Sequence, residues 1–210
     1  MGGFIFSYHL EELYTYNTLL NLSEGLYKEK GSKFIGYATP CYNESEAKEF
    51  LNTWKKENHQ ASHLCYAYRF GVTNFATRAN DDGEPSNSAG APILGQIQSF
   101  ELTNVLIGVV RYFGGTKLGV SGLITAYKSA VKDAIENGII IEKELETTIE
   151  IFFPYEKLPN VMSLLKNVEA QIKTQDFNLD CRLEIQFPKS KEQTIFNNLK
   201  NIHLVEIKLL

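Results

Sequence analysis

The sequence predicts an α+β protein of two domains, and three observations carry that reading. The composition, 43% hydrophobic and 22% charged over 210 residues, is that of a globular chain able to bury real cores. The first half mixes strand-like runs with helix-like ones. From about residue 144 the element order reads β-α-β-β-α-β, the ferredoxin-like split βαβ pattern of one sheet with two helices on one face. The expected organisation is an N-terminal extension over 1–22, a first domain over 23–143 and a ferredoxin-like second domain over 144–210.

In chain order, the stretch to about Glu29 reads as irregular, and residues 33–39 (KFIGYAT) have strand composition. Asn43 then caps a helix in which Ala47, Phe50, Leu51 and Trp54 recur at three- and four-residue spacing. Residues 64–70 and 75–80 are strand candidates joined by the turn formers GVTN, hence a hairpin. DDGEP (81–85) is a turn, and 86–98 starts a short helix despite Gly90 and Pro92. Residues 104–111 (NVLIGVVR) are apolar almost throughout and predict a central strand. A helix follows from about Ser121 to Asn137, stopped by Gly138. In the second half, strands are expected over 146–153, 170–175, 179–187 and 204–209, with helices over 155–168 and 190–198.

Twenty-one Lys plus Arg against 25 Asp plus Glu give a net charge of −4, which excludes a globally basic nucleic-acid binder but not a local basic patch. Divided at Lys143, the first part carries 13 basic and 15 acidic residues and the second 8 and 10, so charge assigns binding to neither. The opening MGGFIFSYHL has no basic region before its apolar run, so no signal peptide is read. No apolar stretch approaches the roughly 20 residues of a membrane span. Cys41, Cys65 and Cys181 are far apart and in no CxxC spacing, which favours reduced thiols in a cytoplasmic protein over a disulfide framework or a zinc site.

The most informative segment is RYFGGTKLGVSG, residues 111–122. It leaves an apolar strand at Arg111, passes Gly114 and Gly115, presents Lys117, crosses Gly119 and enters a helix. Free backbone N–H groups and a positive helix end beside a cation suit a phosphate or other anion. The spacing is not that of a Walker A loop, and the same glycines also fit a tight turn with close strand-helix packing. In RANDDGEPS, Asp81, Asp82 and Glu84 would hold a divalent metal, pair with Arg78 and Lys117, or form a solvated turn. The EF-hand pattern is absent. His63 and Cys65 share a strand face, yet no orienting group or oxyanion hole accompanies them, so a structural pair is the better reading. Lys33, Arg78, Arg111 and Lys117 fall at strand ends or loops near Tyr66, Tyr68, Tyr112 and Phe113, the components of a single-strand nucleic-acid groove, although strand alternation sends half of such aromatics inward.

KGSKFIGYA, HLCYAYRFG, DDGEPSNSAGAPIL and VVRYFGGTKLGVSGLITAY, in that order and spacing, resemble the YigZ/IMPACT family over about residues 23–141, and the second half resembles the C-terminal domain of its bacterial members. The resemblance implies a first domain of the ribosomal-protein and translation-factor type, a second domain similar to those of elongation factor G, and a role in translation through nucleic acid or the ribosome, with no established reaction. The eukaryotic link to a kinase pathway runs through an additional RWD domain without counterpart here and is not carried over. The family blocks fall on His63, Arg78, Asp81, Asp82, Gly83, Glu84, Pro85, Ser86, Arg111, Tyr112, Gly114, Gly115, Lys117, Leu118 and Gly119. Two departures stand out. Asn87 and Ala91 replace a glycine and a cation common in the family, and Val120-Ser121 alters the usual glycine run, with Ser121 still able to cap the helix.

Binding therefore ranks above catalysis. The expected partner is RNA or the ribosome, contacted by Lys33, Arg78, Arg111, Gly114, Gly115, Lys117 and Gly119, with His63, Asp81, Asp82, Glu84 and Ser86 as the companion motif loop. No cofactor, metal or catalytic residue is assigned. One alternative is an enzyme or sensor for a small phosphorylated ligand held by Asp81, Asp82, Glu84 and the 114–119 loop. The other is a protein-interaction module, with a protein partner bound by the second domain.

Overall fold

The computed structural model describes residues 14–210 and has a mixed α+β architecture; residues 1–13 of the expected extension lie outside the described residues. The described residues form two units, one of residues 16–143 and one of residues 144–210 together with Tyr14 and Thr15. No helix among the described residues is long and apolar enough to cross a membrane.

The first unit is built on an antiparallel sheet of β2 (Ser23–Glu29), β3 (Ser32–Pro40), β6 (Val105–Tyr112), β4 (His63–Phe70) and β5 (Ala76–Asn80), in that spatial order. β6 is apolar on both faces because it is covered on both. Helix α1 (Glu44–Glu57) packs Trp54 and Ala47 against Tyr37, Tyr68, Leu106 and Val110 on one side. On the other, α2 (Gly90–Ser99) and α3 (Gly119–Glu136) bury Ile93, Ile97, Leu123, Tyr127 and Val131 against Phe34, Cys65, Ile107 and Val109. Each fully buried Leu, Ile or Phe contributes about 1.5–3 kcal/mol. Gly108 admits Trp54 to the sheet, since a Cβ there would stand 2.7 Å from the indole ring. Asn43 caps α1 as its sequence predicts, accepting the Glu46 N–H at 3.0 Å, while the Glu46 carboxylate takes the Tyr42 N–H at 2.9 Å.

Residues 15–29 are not irregular. They form β1 (Thr15–Leu19), which pairs with β7 (Ile140–Glu144), and β2. β2 hides from a pattern reading because its alternation is inverted: Ser23 and Gly25 face inward while Leu26 is exposed. The strand is held by α3 instead, through the Ser23 hydroxyl on the Ala134 carbonyl at 2.7 Å and the Leu26 N–H on Asp133 at 2.8 Å.

The second unit runs β8 (Glu146–Pro154), α4 (Leu158–Asn167), β9 (Gln171–Phe177), β10 (Asp180–Pro188), α5 (Glu192–Lys200) and β11 (Glu206–Leu209). Its antiparallel sheet has the order β11-β8-β10-β9. Ile149, Ile151, Phe153, Leu183, Ile185 and Phe187 meet Val161 and Leu165 of α4 and Ile195 and Leu199 of α5 in one core, so both helices cover the same face.

Candidate functional site

The two motif loops meet at one end of the five-stranded sheet. Register aligns His63 of β4, Arg111 of β6 and Phe34 of β3 across it. β5 runs back beside β4, which delivers residues 81–84 to the same end. There Arg111 Nη1 donates to Glu84 Oε1 at 2.7 Å, with both side chains less than a tenth exposed. The Tyr127 hydroxyl of α3 donates to the same oxygen at 2.8 Å. Burial and the Glu84 carboxylate hold that phenol protonated, far above its ordinary range.

The other acidic residues of the loop are also engaged. The Asp81 carboxylate accepts the N–H groups of Gly90 at 2.8 Å and of Ala89 and Asn87 at 2.9 Å, supplying the cap that Ala89 cannot. Partial burial pushes the Asp81 carboxyl up, but these three donors outweigh it and hold it below the usual carboxylate range. Asp82 accepts the Leu64 N–H at 2.7 Å, and its carbonyl accepts a hydrogen bond from His63 Nδ1 at 2.6 Å. Because a carbonyl only accepts, that bond places the imidazole proton on Nδ1. The Cys65 sulfur lies 3.0 Å from the Asp81 carbonyl and 3.3 Å from the Tyr127 hydroxyl, and burial pushes its thiol up to about 12. The imidazole and the thiol thus each meet a backbone carbonyl of residues 81–82. Ser86 is exposed, whereas the neighbouring Ser88 is fully buried with no partner for its hydroxyl. Among the described residues no group of three His, Cys, Asp or Glu side chains is placed to hold a metal.

The glycine loop is pinned at one end and open at the other. A Cβ on Gly114 would fall 1.9 Å from the Gly31 carbonyl carbon, so the turn between β2 and β3 packs backbone to backbone on the end of β6. The Gly114 N–H donates to the Ser32 hydroxyl at 3.1 Å. Gly115 and Gly119 adopt φ of 86° and 71° in open space, conformations that favour glycine. Helix α3 begins at Gly119, two residues before the expected Ser121, so Ser121 lies within the first turn and does not cap it. Leu118 at the cap position offers no acceptor, and the first N–H groups of α3 have no side-chain partner. Lys117 is exposed. Beside it a cleft of about 290 Å³ is lined by Tyr27, Glu29, Lys30, Leu118, Ser121, Gly122 and Thr125.

The four cations singled out from the sequence do not converge on one groove. Arg111 faces α3 and is spent on Glu84. Lys33, opposite Tyr112, and Arg78, opposite Tyr68, lie on the α1 side of the sheet. Those two stand three strands apart and about six residues along, roughly 25 Å. Arg78 belongs to a separate groove with Tyr66, Tyr68, Lys48 and Glu44. Lys117 and Lys30 remain at the glycine loop, with Lys33 at the neighbouring strand end, its ammonium 6.0 Å from the Tyr112 ring centre. Pattern reasoning missed Tyr27, Ser121 and Thr125 as cleft residues. Ser121 and Thr125 are four apart on α3, a spacing visible in sequence but uninformative until β2 is known to lie beside them.

An Impact N-terminal domain model matches residues 30–135, which include both motif loops. The protein of Bacillus subtilis described as IMPACT family member YvyE is 31% identical over 185 residues, covering 88% of this chain and 85% of that one. IMPACT family member YigZ of Escherichia coli is 28% identical over 183 residues, 86% of this chain and 90% of that one. A solved structure described only as a hypothetical protein superposes over 94% of this chain and 97% of its own, at 26% identity and a TM-score of 0.75.

Proposed function

The chain belongs to the IMPACT family, and from that premise we propose that it regulates translation by contacting RNA, as on the ribosome, through the 111–122 loop. The link to translation comes with the family resemblance. In this reading the first unit is of the ribosomal-protein and translation-factor type and the second is ferredoxin-like; the strand order β11-β8-β10-β9 with two helices on one face supports the latter.

One observation carries the proposal: the start of α3 presents uncapped N–H groups between exposed Lys117 and Lys30, above a cleft wide enough for a phosphate. Of the carboxylates in the small-ligand alternative, Asp81 and Glu84 are held by internal partners and Asp82 is exposed, which favours the binding reading. Two lysine-phosphate contacts, from Lys30 and Lys117, give single-strand binding a log-log salt slope of about −1.4, or about a seven-fold loss of affinity for a four-fold rise in salt.

The test is cosedimentation of the full chain with ribosomes, and anisotropy with labelled oligouridine, across a salt series. The double variant Lys30→Ala/Lys117→Ala should weaken both and flatten the slope. No association at low salt, or a double variant that binds as tightly as the parent, overturns the reading.

A further inference from the structure

We propose that Phe113 is a stacking platform for a base of an unpaired RNA strand, so that this site selects single-stranded RNA over duplex. The proposal rests on the RNA-contact reading above and adds to it the residue that meets a base.

Phe113 is 50% exposed, more than any other phenylalanine among the described residues. Nothing in its position is slack. It follows the last residue of β6, and its neighbour Gly114 is locked against Gly31 and Ser32, so the ring leaves the sheet from a fixed backbone. Strand alternation puts it on the Arg111 side, and the Arg111 guanidinium carbon lies 5.5 Å from its ring centre. That guanidinium is itself immobilised by Glu84 and also sits 5.4 Å from the Phe34 ring centre. A buried cation thus backs the ring from within and leaves it presented to solvent.

Two lysines lie on the segments that adjoin Phe113. Lys117 lies four residues on in the same loop, and Lys30 adjoins the Gly31 that Gly114 touches. Glu29, the one carboxylate in the adjoining cleft, is 3.4 Å from the Tyr27 hydroxyl, which donates to it. An exposed aromatic on a fixed backbone, with lysines in the same loop and in the turn packed on it, has the components that hold single strands without reading sequence, because every base has a π-face. A duplex has its base faces stacked away and offers this site phosphates only. Selectivity for unpaired RNA then follows from Phe113, and salt dependence from the lysines.

The experiment uses the full chain with fluorescein-labelled oligouridine, oligoadenosine and an RNA duplex of the same length, read by anisotropy at low salt. The single strands should bind at least ten-fold more tightly than the duplex. Phe113→Ala should weaken single-strand binding about five-fold or more, leaving the duplex affinity and the salt slope unchanged. Phe113→Trp should retain binding, and its fluorescence should be quenched by the oligonucleotide, while the native Trp54, 2% exposed, does not respond. Equal affinity for strand and duplex, or single-strand binding by Phe113→Ala at the parent's level, overturns the proposal. If Phe113→Ala has no effect while the lysine variant weakens binding, RNA contact stands and stacking falls. If no RNA binds, both fall. An unchanged urea midpoint for each variant verifies that the site remains folded.

Discussion

Arg111 and Glu84, one from each motif loop, form a buried ion pair at 2.7 Å that ties the end of the central strand to the DGEPS turn. Tyr127 completes it from α3. The pair joins three segments distant in sequence beneath the exposed loop, and Arg111 Nε is left without a partner. The motif residues that looked like ligand contacts are in large part the frame on which the exposed loop stands.

Breaking that pair from one side should therefore be far more harmful than removing it. Glu84→Ala leaves a buried guanidinium uncompensated and should cost about 3–5 kcal/mol in urea unfolding, whereas Glu84→Leu/Arg111→Met should recover a large part of that loss. A double-mutant cycle with strictly additive losses would mean that the contact carries no coupling.

Asp81 makes a prediction about acid. Its folded pKa lies below the unfolded value of about 3.9, so its contribution to stability is complete above that value and is lost as pH falls through the folded pKa. Asp81→Asn should cost about 1 kcal/mol near neutral pH, in the range of a lost helix cap. The gap between parent and variant in urea midpoint should narrow steadily below about pH 4. A gap independent of pH would assign the effect to shape alone.

Most of the second unit was legible because its strands alternate cleanly: Leu183, Ile185 and Phe187 face the helices, and Arg182, Glu184 and Gln186 do not. In the first unit, the apolar run of β6 and the Asn43 cap announced themselves for the same local reasons. β2 did not, because a strand whose inward residues are Ser23 and Gly25 is specified by the helix lying on it. The site was half legible. Arg111 and Glu84 were recognisable as important but not as partners, since pairing across 27 positions depends on the register of β4, β5 and β6. Arg78 was drawn into the wrong group because residue type carries no information on which face of the sheet it occupies.

Adjacent glycines in the loop should respond to alanine to different degrees. At Gly114 the new methyl would fall 1.9 Å from the Gly31 carbonyl carbon and 2.2 Å from the Ser32 nitrogen, both backbone atoms that cannot yield without moving the β2–β3 turn. At Gly115 there is open space, and alanine meets only the penalty of φ near 86°, about 1–2 kcal/mol. Gly114→Ala should lower the urea midpoint by clearly more than Gly115→Ala and should also weaken RNA binding, because it displaces Phe113. Equal midpoints would mean that the turn is not seated on the strand end.

The three cysteines should be silent in the native protein. Burial pushes Cys41 up to about 11 and Cys65 up to about 12, and Cys181 is also raised by burial. At pH 8 a thiol with a pKa near 12 is ionised in only about one molecule in ten thousand, and each sulfur is shielded besides. A chromogenic disulfide reagent at pH 8 should therefore titrate all three only after denaturation. Cys65 provides a further readout, because it sits against Tyr127, the second partner of Glu84. Glu84→Ala frees that hydroxyl and loosens the packing around the sulfur, so labelling at Cys65, located by mass spectrometry, should accelerate before Cys41 or Cys181 does. Uniform acceleration at all three would show that the substitution acts by global unfolding, and Cys65 would then report nothing about the Arg111–Glu84–Tyr127 junction in particular.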